Sequence, residues 1–178
     1  MDNLSEKRVL FVIAPKNFRD EELLEPRKIL EKNKAKTSIA SSTLNDCIGM
    51  LGARITPNLS LDKVQVNDYD AVIFVGGNGS TIYHEDQLAL NLAKEANIKG
   101  KLVGAICLGT GILAKANLLK GKKVTGFIDT KELVEKHGGT YTGNEVEVFE
   151  RIITGEGPKA SKRFGEEVVK ALQHEFKD

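Results

Sequence analysis

Three short runs of consecutive apolar residues stand out along the chain: VLFVIA (9–14), AVIFVGG (71–77) and LVGAIC (102–107). Each is rich in β-branched residues, ends at a turn-compatible residue and shows no polar alternation, the pattern of strands buried on both faces. Between them the periodicity changes. DEELLEPRKILEKN (20–33) and DQLALNLAKEAN (86–97) predict helices, the first with an acidic start and a basic end that complement the helix dipole. Strands alternating with helices predict a parallel sheet with right-handed crossovers. Pro26 falls inside the first helical stretch, where proline removes a hydrogen bond and clashes with the preceding turn. The helix therefore starts shortly before Pro26 or bends there.

TSIA (37–40) reads as a further strand, and CIGMLGARITPNLSL (47–61) as a glycine-punctuated excursion holding two short strands or a hairpin. Beyond the third apolar run the pattern predicts a helix near residues 110–118, a strand at KKVTGF and a short helix at KELVEKHGG. One or two strands follow at VEVFERIIT. Phe164, Val168, Leu172 and Phe176 then recur every four residues, giving a last helix that packs one stripe onto the sheet. No tandem repeat, low-complexity segment or interdomain linker interrupts residues 1–178, so a single domain is expected.

Composition sharpens this picture in two respects. The chain has 178 residues, 40% of them apolar, and at this size folding buries roughly 70% of the unfolded surface. A core can form without staples. The formal net charge of +1 gives no electrostatic footprint for nucleic acid. Two cysteines, Cys47 and Cys107, are too few for a disulfide scaffold or a four-cysteine zinc site, and no histidine has zinc spacing with them. With a polar start, MDNLSEKR, and no run approaching a membrane span, the expectation is a cytoplasmic protein without membrane, metal or cofactor.

In open α/β sheets chemistry gathers beyond the carboxyl ends of the strands. Three such ends matter here: the segment Asn17 to Glu22, the pair Gly76 and Gly77, and Cys107 in AICLGTG. A nucleophile on a sharp strand-to-helix turn is held exposed, small neighbours permit the turn, and a helix N-terminus can lower a thiol pKa from ~8.5. Cys107 is equally compatible with packing, because free cysteine is commonly buried. Gly76 and Gly77 can bring backbone N–H groups close to a ligand, as an oxyanion hole requires, or form an ordinary turn. Glu22 belongs to an acidic cluster, Asp20, Glu21, Glu22 and Glu25, whose plain reading is a solvated helix start.

The order ELLEP, VGGNG, AICLG followed by GILAKANLLKGKKVTGF, and a late ITGEGP resembles the ThiJ/PfpI superfamily over nearly the whole chain, from Arg8 to Phe176. That superfamily includes an intracellular protease and a parkinsonism-associated deglycase. The resemblance implies a flavodoxin-like three-layer α/β/α sandwich, of the class I glutamine-amidotransferase-like type, assembled as a homodimer or higher homo-oligomer. It implies that Cys107 is the elbow nucleophile, Glu22 the glutamate that hydrogen-bonds it, and Gly77 an oxyanion N–H donor; for chemistry on a carbonyl, the backbone N–H near Leu108 is expected to be a second donor. In such a pocket Glu22 should hold its proton, since burial and a neighbouring negative charge both disfavour carboxylate.

The match also breaks at specific positions. Protease-like members carry histidine after the elbow cysteine, where this chain has Leu108; Phe127 replaces another pocket histidine, and Gly155 and Glu156 stand where relatives have serine and arginine. Such a pocket should hold anions less well. His84, in STIYHED, is the nearby candidate base, with a surface or interface role as the plainer reading; His137 and His174 read as structural, and Cys47 as buried filler. Three activities follow from these residues: cysteine chemistry on a small-molecule carbonyl, oxidation of Cys107 by a small oxidant in stress protection, or peptidase action, weakened by Leu108. A non-catalytic binding module is the fourth.

Overall fold

The computed structural model describes residues 3–174. In chain order its elements are β1 (Arg8–Val12), β2 (Lys16–Phe18), α1 (Asp20–Lys32), β3 (Lys36–Ser41), β4 (Cys47–Gly49), β5 (Arg54–Ile55) and β6 (Leu59–Ser60). There follow β7 (Ala71–Phe74), α2 (Gln87–Ile98), β8 (Leu102–Ile106), α3 (Thr110–Lys115), β9 (Lys123–Val124), α4 (Lys131–Lys136), β10 (Thr140–Tyr141), β11 (Val146–Phe149), β12 (Ile152–Gly155) and α5 (Ser161–Gln173). Seven strands form the central sheet in the order β11-β12-β8-β7-β1-β3-β6. All its pairings are parallel except the β11–β12 hairpin.

The three apolar runs form the middle of this sheet, and their alternate residues feed two separate cores. Leu10, Val12, Val72, Phe74, Val103 and Ala105 face the side covered by Leu90, Ala93, Ile112 and Leu113 of α2 and α3. Val9, Phe11, Ile73, Leu102 and Ile106 face Leu23, Leu30, Phe164, Val168 and Leu172 of α1 and α5. Burying one such side chain stabilises the fold by about 1.5–3 kcal/mol, so both faces contribute heavily. The result is the expected three-layer α/β/α sandwich. The stripe on α5 is confirmed at Phe164, Val168 and Leu172, while Phe176 lies outside the described residues.

Helix α1 starts at Asp20 and runs through Pro26, which is buried against α5: a β-carbon added at Gly165 would stand 2.9 Å from the Pro26 Cα. The missing proline N–H is the one that would otherwise meet the Glu22 carbonyl, four residues earlier. The excursion at 47–61 contains the antiparallel pair β4–β5, with β6 returning to the edge of the main sheet. β4 also pairs with β2. KKVTGF contributes only the two residues of β9, paired with β10 apart from the main sheet. No helix among the described residues is long and apolar enough to cross a membrane.

Candidate active site

β8 ends at Ile106, and the next residue, Cys107, takes φ of 61°. This left-handed conformation is uncommon for a residue with a side chain and marks the sharp turn of a nucleophile elbow. A 3-10 turn over Cys107–Gly109 leads into α3. The turn is stitched from outside: the Phe127 N–H donates to the Cys107 carbonyl at 3.2 Å, and the Thr110 hydroxyl donates to the Thr125 carbonyl at 3.0 Å.

Glu22 arrives from the first turn of α1 and is fully buried, as Asp20 nearly is. The acidic cluster is therefore divided: Asp20 and Glu22 point inward, while Glu21 is half-buried and Glu25 exposed as a solvated helix start would be. Asp20 accepts from the N–H groups of Leu51 and Ala53, at 2.7 and 2.8 Å, and so ties the β4–β5 turn to α1. Glu22 instead points its carboxyl at the elbow, where the Cys107 thiol and the Gly76 N–H face it. Neither carboxyl oxygen reaches a partner at strict hydrogen-bond geometry, so these are close electrostatic approaches. Gly76 is wedged between the two groups: a β-carbon there would lie 2.6 Å from Glu22 Oε1 and 2.7 Å from the Cys107 Cβ.

Gly77, at φ of 97°, turns the chain so that its N–H faces the sulfur, as does the N–H of Leu108. A side chain at 77 would strike the backbone of Asn17 and Arg19, both 2.4 Å from the added carbon. The Ser80 hydroxyl and N–H both hold the Gly77 carbonyl, at 2.8 and 3.0 Å. Cys107, Glu22, Gly76, Gly77 and Leu108 thus converge on one point at the carboxyl edge of the sheet.

Burial dominates the protonation of this site. It raises the Glu22 carboxyl to about 8, so Glu22 holds its proton at neutral pH. Burial also pushes the Cys107 thiol up to about 12, aided by charge on Glu22 and opposed by the two backbone N–H groups. The expected lowering by a helix end does not prevail: α3 begins three residues beyond the sulfur, and desolvation outweighs it. While Glu22 is neutral its repulsion of a thiolate is absent, and the two groups titrate as a pair.

His84 lies within a 3-10 stretch, Asn78–Glu85, and its Nε2 meets the Leu108 carbonyl at 3.1 Å. Among the described residues it makes no hydrogen bond to Cys107, so this arrangement does not offer it as base for the sulfur. His137 pairs with Asn117 at 3.0 Å. Cys47 is fully buried, with its thiol also pushed up by burial. Sequence reasoning did not anticipate Arg19, whose N–H donates to the Gly76 carbonyl at 3.0 Å and whose guanidinium pairs with Glu21. Arg19 and Glu21 line a pocket of about 640 Å³ with Phe127, Glu145, Glu156 and Lys159. β12 brings this pocket beside the elbow, since Gly155 is registered with Ile106 and Glu156 follows it. No cluster of metal-ligating side chains occurs among the described residues.

Comparison with known proteins places the chain in a family. Residues 7–171 match the model of the DJ-1/PfpI family. An uncharacterized protein of Methanocaldococcus jannaschii is 42% identical over 97% of this chain and 85% of its own. Glutathione-independent glyoxalase DJR-1.2 of Caenorhabditis elegans is 27% identical over 95% of this chain and 90% of its own. The crystal structure of a ThiJ/PfpI domain protein from Brachyspira murdochii superposes with a TM-score of 0.91 at 33% identity, covering 93% of this chain and 95% of the other. The chain, with its buried glutamate beside a strained elbow cysteine, belongs to the DJ-1/PfpI family.

Proposed function

We propose that the protein acts on small reactive carbonyls, in the manner of a glyoxalase or deglycase, through Cys107 and Glu22. The observation that carries this reading is the Glu22 carboxyl, fully buried and protonated at neutral pH, facing the buried thiol of the strained elbow. The name of the nematode relative, a glyoxalase, supports it. With methylglyoxal, Cys107 Sγ bonds to the aldehyde carbon and the thiol proton passes to the carbonyl oxygen, giving a hemithioacetal. The N–H groups of Gly77 and Leu108 stabilise the developing oxyanion. Protonated Glu22 gives its proton to the ketone oxygen and, as the carboxylate so formed, takes the proton from the hemithioacetal carbon, giving an enediol; it then returns that proton to the former ketone carbon and recovers one from the remaining hydroxyl, which becomes the thioester carbonyl. The product is a thioester of lactate, which water cleaves to lactate and the free thiol. The isomerisation is internal and needs no external oxidant or reductant.

Loss of methylglyoxal with stoichiometric lactate is the expected result for the wild type, abolished in Cys107→Ser and cut sharply in Glu22→Gln. Rates unchanged by both substitutions would overturn the reading.

A second reading is oxidation of Cys107 by a small oxidant in stress protection. The unpartnered, protonated Glu22 oxygens favour it, since they can donate to an oxidised sulfur. Peptide cleavage is the weakest reading: it needs a proton for a poor leaving group, and Leu108 has none to give. A homodimer or higher homo-oligomer and a cytoplasmic location belong to the same proposal. Exposed Leu24 and Leu51, on the segments that Asp20 ties together, supply apolar surface for self-association. Sedimentation of a monomer at micromolar concentration would overturn the dimer.

A further inference from the structure

The two N–H groups facing the Cys107 sulfur belong to separate pieces of chain. Gly77 opens the loop after β7, whereas Leu108 sits in the elbow after β8. Their separation is not fixed by a strand pairing, because the β7–β8 ladder ends at Phe74 and Ala105. The segment 77–85 is instead fastened at several points. Ser80 holds the Gly77 carbonyl. Tyr83, almost fully buried, donates to the Ile13 carbonyl at 2.8 Å and accepts from the Ser42 N–H at 3.1 Å, securing the segment to the ends of β1 and β3. The next residue turns the other way: His84 Nε2 reaches the Leu108 carbonyl at 3.1 Å.

A carbonyl only accepts, so Nε2 carries the proton, and burial keeps the imidazole neutral by pushing its pKa down. Lys115, paired with Glu85, faces the ring from α3 and also disfavours its protonation. The ring rests on Gly111, where an added β-carbon would stand 2.5 Å from Cε1 and 2.6 Å from Nε2. The absence of a side chain at 111 thus makes room for an imidazole that would otherwise be displaced.

We propose that His84 is a positioning residue: by donating to the Leu108 carbonyl it braces the two segments whose N–H groups face the Cys107 sulfur and holds those donors in register. The proposal rests on Cys107 being the reacting thiol, not on the identity of its carbonyl substrate. The position after the cysteine here bears a hydrocarbon side chain, and the imidazole acts on that residue's backbone from a neighbouring loop. It moves no proton.

The test is the rate of Cys107 alkylation by iodoacetamide as a function of pH, followed by peptide mass spectrometry, in wild type, His84→Phe and His84→Gln. Thermal melting serves as the folding control. His84→Phe, which fills the space without a donor, is expected to slow alkylation at neutral pH about tenfold, the scale of one hydrogen bond, and to move the pH midpoint upward. Methylglyoxal turnover in that variant should lose kcat with KM unchanged. His84→Gln, whose amide N–H can reach the same carbonyl, should recover most of the alkylation rate. Alkylation in His84→Phe equal to wild type overturns the brace, and so does a His84→Gln variant as slow as His84→Phe. Should His84→Phe fail to fold, Gly111→Ala pushes the ring aside and must slow alkylation similarly; an unaltered rate there overturns it. Absence of lactate from the wild type sinks the carbonyl reading alone, because alkylation reads the brace directly.

Discussion

Gly76 touches Glu22 so closely that a single added carbon would stand 2.6 Å from the Glu22 Oε1 atom. The same carbon would lie 2.6 Å from the Ile106 carbonyl oxygen, so neither the carboxyl nor the backbone leaves it room. Gly76→Ala is therefore expected to drive Glu22 away from the thiol and to destabilise the fold by about 1–3 kcal/mol, the usual cost of overpacking. Lactate formation from methylglyoxal should fall with it. A melt and a rate equal to wild type would show that the wedge is not tight.

Glu22 makes stability depend on pH in a defined direction. Its carboxyl is near 8 in the folded protein against an ordinary 4.5, so between these values the unfolded chain has lost a proton that the folded one keeps. Stability then falls as pH rises through this window, by up to about 1.4 kcal/mol per unit, and levels off above it. Glu22→Gln removes this contribution. Urea unfolding at pH 5 and pH 8 should show the variant gaining on wild type at the higher pH, with other titrating groups cancelling in the difference.

The two cysteines should differ sharply towards peroxide. Cys47 is fully buried, its Sγ donating to the Asn45 carbonyl at 3.7 Å, and the neighbouring Asp46 carboxyl is engaged by Arg54 and Thr56. Mild peroxide is expected to add two oxygens at Cys107 before any change at Cys47, and Glu22→Ala should let that oxidation run on towards sulfonate. Intact and peptide masses read both outcomes.

One substitution should give the pocket beside the elbow a positive charge. Arg19 is engaged by Glu21 and Glu145 by Arg163, and the two other charged lining residues, Glu156 and Lys159, are of opposite sign. The lining is thus close to neutral overall, and an anionic aldehyde such as glyoxylate should inhibit weakly. Glu156→Arg is expected to tighten that inhibition roughly threefold to tenfold at low salt, less at high salt, while the KM for neutral methylglyoxal stays put.

What the sequence reveals of each element depends on what holds that element in place. The runs at 9–14, 71–77 and 102–107 appear as β1, β7 and β8 because strands buried on both faces must be continuously apolar. The helix predicted at 86–97 forms at 87–98, with the Asp86 carboxylate accepting from the Ala89 N–H at 3.1 Å. The three-residue strand β2 was invisible, since neighbouring backbone rather than any side-chain period holds it, whereas the equally short β4 and β5 lie in the excursion whose glycines mark two short strands or a hairpin. KKVTGF breaks after Val124 because the Thr125 N–H leaves for the Thr154 hydroxyl, and its own hydroxyl for the Asn144 carbonyl. Pro26 sits within a continuous helix because packing on α5 outweighs local propensity. At the site, spacing alone left Cys107 and Glu22 ambiguous, and the resemblance singled them out. Neither revealed that His84 engages a backbone carbonyl, since its partner is 24 residues away and carries no side-chain signature.

Cys107 packs with the core on the α1 and α5 side, yet Ile112 and Leu113, one turn into the helix it opens, pack with the core on the other. Leu108 still packs on the first side, so the chain changes faces between it and Ile112. The elbow is thus a crossing point between two hydrophobic bodies on opposite faces of the sheet. A cavity opened on either side, by Leu23→Ala or by Leu113→Ala, would reach the Cys107 sulfur from opposite directions, and thiol reactivity would report damage to both.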